Sequence, residues 1–376
     1  MGESEENDES LEENDFLTHI GEQLSDIQLP KQFETSSHWM ITANHGFIPY
    51  AQEELRRTYG KLKSQILVSG EVALMELPEN HEKVWEMQRT APSIFVRDMF
   101  PILAAAKTSE ELTQDRLENL WERIKERAGL YLEEPTSISI HTRKSGKLSS
   151  FDLHELRAGL QQIMEGEGHQ VVIQAPHLIC SVYEHEEMLY FGLSTLVDQG
   201  VDWPGGAIRF QREEGQISRA KFKLLEAEQV FGIDFSQFKS GLDIGAAPGG
   251  WSSLLLERGV EVTAVDPAKM HESLQGHPQL TIINQNAGEV AFEPNEFDLL
   301  VCDMSWNPKH TAQLVIQLLD AVQRGGTVIV TVKLMHKKPL QTIRDCMEMF
   351  EHDLQILRAK QLFHNRDEIT LYMIKY

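Results

Sequence analysis

The chain has 376 residues, 41% of them hydrophobic and 8% aromatic, and a formal net charge of −23. That length suits two domains, or three small ones, each with its own core. No apolar stretch approaches the ~20 residues that span a bilayer, and the start MGESEENDES has neither the basic nor the apolar region of a signal peptide. Cys180, Cys302 and Cys346 are scattered without metal-site spacing. The expectation is a cytoplasmic protein with no membrane segment, no disulfide framework and no metal.

Residues 1–37 read as a disordered acidic tail (Glu3, Glu5, Glu6, Asp8, Glu9, Glu12, Glu13, Asp15), too polar to offset the entropy of ordering. Residues 38–204 mix short strands and helices, an α+β region. HWMITAN is a strand and FIPYAQEELRRTYG a helix; QILVSG and EVALMEL are paired strands. SIFVRDMF and TSISIHTRK are strands on either side of the amphipathic helix SEELTQDRLENLWERIKERAG. FDLHELRAGLQQIMEG is a further helix, followed by the strands VVIQA, HLICSVYEH and MLYFGLS. This region holds no Gly-rich phosphate loop and no catalytic cluster.

From 205 to 376 helix and strand patterns alternate. RAKFKLLEAEQVF is a helix, GLDIGA a buried strand, GGWSSLLLERG a helix and VEVTAVD a strand. LTIIN and FDLLVCDM are strands, HTAQLVIQLLDAVQ a helix, TVIVTVKL a strand and PLQTIRDCMEMFEHD a helix. QILRAKQLF and EITLYMIKY close the chain. Such alternation gives an α/β domain with a mostly parallel sheet covered by helices on both faces, and the two consecutive final strands give it an antiparallel edge.

The run Asp243-Ile244-Gly245-Ala246-Ala247-Pro248-Gly249-Gly250-Trp251 ends a strand and opens a helix. Small residues there admit a ligand close to the backbone, and the helix N-terminus adds free amides. A dinucleotide turn has G-x-G-x-x-G; here Ala247 replaces the second glycine and Pro248 follows, which argues against a pyrophosphate cradle and an NAD-type oxidoreductase. Asp266 ends the next strand, placed to accept both ribose hydroxyls of a bound nucleoside.

With Lys223 before this turn, Asp303 in LLVCDMSWNP, Lys333 in VIVTVKLMHKK and Glu368 in FHNRDEITLY, the segment resembles the FtsJ/RrmJ-type RNA ribose 2′-O-methyltransferases, in which Lys, Asp, Lys and Glu occur in that order. The resemblance is nearest to the RlmM-type branch, through WPGG, CDM-x-x-x-P, KL-x-x-KK and QLFHNRDEIT, and more loosely through SIFVRDMF and LYFGLS. It implies a Rossmann-like methyltransferase domain with a seven-stranded sheet, preceded by a THUMP-like RNA-binding region. It also implies S-adenosylmethionine as cofactor and a nucleotide of large-subunit ribosomal RNA, a cytidine, as target. The implied catalytic residues are Lys223, Asp303, Lys333 and Glu368. The implied cofactor contacts are Asp243, Gly245 to Trp251, Asp266, Asn286 and Asp303. The chain departs from the family at INQNAGEV, where Asn286 and Ala287 stand in place of an acid near the adenine, and in its acidic tail.

A ribose hydroxyl is a weak acid, so its proton must be removed as it is aligned with the methyl donor. Lys333 is the candidate base. A lysine serves only with its pKa lowered, which burial and a second cation, Lys223, would do. Asp303 and Glu368 then orient the lysines and the ribose, and Trp306 and Asn307 are candidates to line the site. The acidic balance sits awkwardly with an RNA partner. Basic residues do gather near the motifs: Arg209, Arg212, Arg219 and Lys221; His336, Lys337 and Lys338; Arg358, Lys360 and Arg366. The tail is expected to solubilise, with electrostatic mimicry of RNA as the sharper alternative. Rival readings are a methyltransferase of transfer RNA or of a non-RNA acceptor, and a non-catalytic RNA-binding ribosome-assembly factor.

Overall fold

The computed structural model describes residues 37–109, 112–129, 132, 134–145, 152–212, 214–334 and 338–376. The acidic tail up to residue 36, and His336 and Lys337, lie outside the described residues. The chain divides into two units, Met1–Ala207 and Ile208–Tyr376. No helix among the described residues is long and apolar enough to cross a membrane.

In the N-terminal unit, β1 (Ser37–Thr42), β2 (Lys63–Val68), β3 (Val72–Leu77) and β4 (Asp98–Pro101) form an antiparallel sheet ordered β2-β3-β1-β4. Helices α1 (Ile48–Tyr59) and α2 (His81–Thr90) belong to the same part of the chain. The sequence reading has no counterpart to α2, which starts where the Asn80 side chain accepts the Lys83 amide at 2.9 Å. SIFVRDMF is strand only from Asp98 onward, because the Ile94 and Phe95 amides donate to the Glu54 carboxylate at 2.6 and 3.0 Å instead of to a neighbouring strand.

A second sheet, ordered β5-β9-β8-β6-β7, contains β5 (Ala104–Lys107), β6 (Ser137–Ser145), β7 (Gln170–Val171), β8 (Leu178–His185) and β9 (Met188–Thr195). Of the expected strand VVIQA only the start pairs, as β7. Helices α3 (Gln114–Ala128) and α4 (Leu153–Gly166) cover one face. Leu117, Trp121 and Ile124 of α3 and Leu156, Leu160 and Met164 of α4 pack there on Ile138, Ile140, Cys180 and Phe191. After the short α5 (Leu196–Gln199) comes the WPGG turn, where Arg97 Nε donates to the Gly205 carbonyl at 2.8 Å.

In the C-terminal unit, α6 (Ala220–Phe231), β10 (Ser240–Ile244), α7 (Gly250–Glu257), β11 (Glu261–Val265), β12 (Leu280–Ile283) and β13 (Phe297–Cys302) alternate as expected. They are followed by α8 (Pro308–Gln317), β14 (Val322–Lys333), α9 (Pro339–Phe350), β15 (Leu354–Lys360) and β16 (Glu368–Lys375). The seven strands lie in the order β12-β11-β10-β13-β14-β16-β15, a mixed sheet of Rossmann-like methyltransferase form. β10 to β14 are parallel. β16 runs antiparallel between β14 and β15, so the reversed strand sits one place in from the edge.

Leu224 of α6 and Trp251, Leu254 and Leu255 of α7 pack on one face of this sheet against Val262, Leu299, Val301 and Ile329. The intervening residues Leu300, Cys302, Val328 and Val330 point to the opposite face and are also buried. Strand burial on both faces explains the near-continuous apolar runs of the sequence.

Candidate active site

The chain order reverses between β10 and β13: from β10 the sheet grows one way to β11 and the other way to β13. A crevice opens at the carboxyl ends of parallel strands at such a point. The glycine turn follows β10 there, and Asp303 follows β13. Lys333 ends β14, directly opposite Glu368, the first residue of β16. Because β16 runs backwards, a residue at its start reaches the same sheet edge as residues at the ends of the others.

α6 supplies the fourth member. Lys223 Nζ donates to both Asp303 oxygens, at 2.9 and 3.2 Å, and to Glu368 Oε2 at 2.5 Å. Thr331 donates its hydroxyl to Asp303 Oδ1 at 2.7 Å. Desolvation pulls the Lys223 ammonium down, but Asp303 and Glu368 outweigh it and hold the group above the usual lysine value. Lys223 is therefore a charged donor, not a base. The sequence reading has it as a second cation beside Lys333, oriented by Asp303 and Glu368, and in the structure both carboxylates bond it directly. Lys333 is half-buried and makes no side-chain hydrogen bond or ion pair among the described residues.

The glycine turn is built differently from a simple opening for ligand. Gly249 starts α7 at φ +113, and a Cβ on it would fall on Leu274 Cδ1. A Cβ on Gly250 would sit 2.7 Å from Ser218 Oγ. Both glycines thus allow close packing of the protein on itself. Asp243 is buried, accepts the Ser252 hydroxyl at 2.6 Å, and is pushed up to about 7 by burial, with Ser252 acting against the rise. Its carboxyl ties β10 to α7. Trp251 is 3% exposed and its indole N–H donates to the Ala220 carbonyl at 2.8 Å, which fastens α7 to α6. The side chains of Asp243 and Trp251, expected as cofactor contacts, face the interior because helix and strand must be joined at this point.

Other expected contacts lie at the turn. Asp266 accepts the Ala247 amide at 3.1 Å and the Ala268 amide at 2.7 Å, one on each oxygen, which leaves lone pairs on both. Gly245, Ala247 and Pro248 are partly or fully exposed, Ala246 is buried, and no side chain caps the first turn of α7. Asn286 is exposed and donates to Glu289 at 3.2 Å. A small-residue turn, a carboxylate with spare acceptor capacity and an uncapped helix start fit the nucleoside and amino-acid ends of S-adenosylmethionine. Asn307 is occupied otherwise: its side chain caps α8 by accepting the Lys309 amide at 3.0 Å.

The expected basic cluster before α6 is smaller than its sequence count. Lys221 is 5% exposed and bonded to Glu257 at 2.8 Å, whereas Arg209, Arg212 and Arg219 are exposed. Thr331 was missed by the sequence reading. Its signal is there in retrospect, a polar residue two positions before Lys333 and hence on the same face of β14.

A doubly wound sheet with a glycine turn and a Lys-Asp-Lys-Glu set at its switch point has the form of a methyltransferase domain. Residues 216–360, most of the C-terminal unit, match the FtsJ-like methyltransferase family. That match supports S-adenosylmethionine as its cofactor. The chain is similar to "Ribosomal RNA large subunit methyltransferase M" of Laribacter hongkongensis, 35% identical over 188 residues, covering 47% of this chain and 53% of that protein. The protein of the same name from Psychromonas ingrahamii is 41% identical over 181 residues, 45% of this chain and 49% of that one. The one from Sodalis glossinidius is 32% identical over 240 residues, 59% of this chain and 63% of that one. The chain spans about half the length of the first two of these relatives and somewhat more of the third.

Proposed function

We propose that the chain transfers a methyl group from S-adenosylmethionine to the 2′-hydroxyl of one nucleotide of large-subunit ribosomal RNA, a cytidine by the family resemblance. The observation that carries this reading is the meeting of Lys223, Asp303, Lys333 and Glu368 at one sheet edge beside the glycine turn. The names of the similar proteins support ribosomal RNA as the substrate class.

In this reading Lys333 takes the proton of the 2′-hydroxyl as the oxygen attacks. Lys223 stays an ammonium, locked by Asp303 and Glu368, and holds the acceptor oxygen through its remaining donor capacity. Thr331 keeps the Asp303 carboxylate in one orientation. The cofactor supplies the methyl group, and the protein supplies alignment and charge. Proton removal by a positioned base contributes about 10²–10⁴-fold. The N-terminal unit is assigned RNA binding, as a THUMP-like region. The similarity to the Sodalis protein takes in 59% of the chain, more than the C-terminal unit alone contains. The enzyme is placed in the cytoplasm, with the exposed Arg209, Arg212 and Arg219 offered to phosphates.

The test is transfer of label from tritiated S-adenosylmethionine to large-subunit RNA purified from cells lacking the gene. The product should resist alkali at the labelled nucleotide, since a 2′-O-methyl group removes the oxygen that cleaves the adjacent phosphodiester. Label found on a base, or no label in RNA, would contradict the proposal.

A further inference from the structure

We propose that Trp306 is the surface on which the base of the target nucleotide stacks while its ribose is methylated; this rests on the proposed function and adds a recognition residue to it. The chain has six tryptophans, of which Trp203, in the WPGG turn of the N-terminal unit, is half-buried. Trp39, Trp121 and Trp251 are at most 3% exposed, and each donates its indole N–H within the protein: to Ser37 Oγ at 2.7 Å, to Glu167 at 2.9 Å and to the Ala220 carbonyl at 2.8 Å. Trp85 is 6% exposed and packs edge-on against Trp39 at 4.9 Å. Trp306 is 51% exposed and makes no hydrogen bond among the described residues. A large aromatic ring left in water costs free energy unless something covers it.

Its place in the fold says what that something is. Trp306 lies three residues after Asp303, in the loop that leaves β13 at the catalytic edge of the sheet. The loop is held at both ends. Asp303 is fixed by Lys223 and Thr331, and Asn307 caps α8 with Pro308 in its first turn. The exposure of the ring is thus built into a short, anchored segment. The other described aromatic rings near the tetrad are already engaged: Phe210, Phe222 and His364 lie 5.2–5.5 Å from one another, and a His364 ring nitrogen is 3.1 Å from the Ile208 carbonyl. A ribose presented to Lys223 and Lys333 carries its base on the neighbouring carbon, and an exposed indole in the loop that Asp303 opens suits a nucleobase lifted out of its stack.

The experiment compares wild type with Trp306→Ala, Trp306→Leu and Trp306→Phe on large-subunit RNA from cells lacking the gene. KM for RNA, kcat, cofactor affinity and thermal stability are measured for each. Loss of one base–aromatic stack raises KM for RNA by about 5- to 100-fold. Trp306→Ala and Trp306→Leu should both show that rise, with kcat within about twofold and cofactor affinity unchanged, while Trp306→Phe stays near wild type. An unchanged KM in Trp306→Ala overturns the inference. So does a Leu variant as good as wild type, which would make the contact one of bulk alone, or a defect confined to cofactor affinity or stability. A wild type inert on this RNA instead removes the proposed function, and the inference with it.

Discussion

Thr331 and Asp303 are joined by a 2.7 Å hydrogen bond from the Thr hydroxyl to Oδ1, made from the strand next to the one that Asp303 follows. Asp303 also accepts from Lys223 through both oxygens. One carboxylate thus joins α6, β13 and β14, and the acceptor site inherits its geometry from that junction. Thr331→Val keeps the shape and deletes the donor. The loss of about 1 kcal/mol of orientation should lower kcat about 5- to 10-fold, with cofactor affinity unchanged and Thr331→Ser close to wild type in steady-state methyl transfer.

Lys223 separates two carboxylates that would otherwise face each other with little water between them. Replacing it by Met leaves Asp303 and Glu368 unpaired at side-chain exposures of 14% and 10%. Removing one partner of such a group costs about 3 kcal/mol. Lys223→Met should therefore unfold at markedly lower denaturant, and adding Glu368→Gln should recover much of the stability but none of the activity. Chemical denaturation of the three proteins checks this; a single variant as stable as wild type would show that the ion pairs are absent in solution.

Asp243 carries a pH dependence of opposite sign to that of an ordinary paired carboxylate. Burial raises its carboxyl from 3.8 to about 7 in the folded chain. Between about pH 4 and pH 7 the native state holds a proton that the unfolded chain gives up, so this group makes stability fall as pH rises across that window and contributes no further slope above it. Asp243→Asn keeps an acceptor for Ser252 without the charge. Relative to wild type it should gain about 2–4 kcal/mol between pH 4 and pH 8, read from unfolding curves at the two values. Parallel pH profiles for the two proteins would contradict the assignment.

Gly249 gives a purely steric prediction. At φ +113 an L side chain is strained, and its Cβ would collide with Leu274. Gly249→Ala should lose about 1–3 kcal/mol, visible as a melting temperature several degrees lower, together with weaker cofactor binding because the start of α7 shifts.

Much of this was legible in the chain because the relevant physics is local. Alternating buried strands and amphipathic helices give the sheet its class, and three of the tetrad residues, Asp303, Lys333 and Glu368, stand at strand ends that a periodicity reading already locates. What escaped is what distant residues decide. Nothing local to SIFVRDMF announces that Glu54 takes the Ile94 and Phe95 amides. Two strands adjacent in sequence at the end of the chain do not reveal that β16 inserts between β14 and β15. Asp243 and Trp251 sit within a ligand-turn string, yet their partners Ser252 and Ala220 turn them inward. Lys221 counts as a surface charge until Glu257 is seen against it. Thr331 reads as one more β-branched strand residue until Asp303 is placed across from it.

The most direct test of the account is ribose-methylation mapping of large-subunit RNA in cells that lack the gene and carry it back as wild type or as Lys333→Ala, with cofactor binding of both proteins measured in parallel. One 2′-O-methyl mark is expected to disappear on deletion and to return with wild type only, although the variant binds S-adenosylmethionine normally. Restoration of the mark by Lys333→Ala, or a full set of marks in the deletion strain, would contradict it.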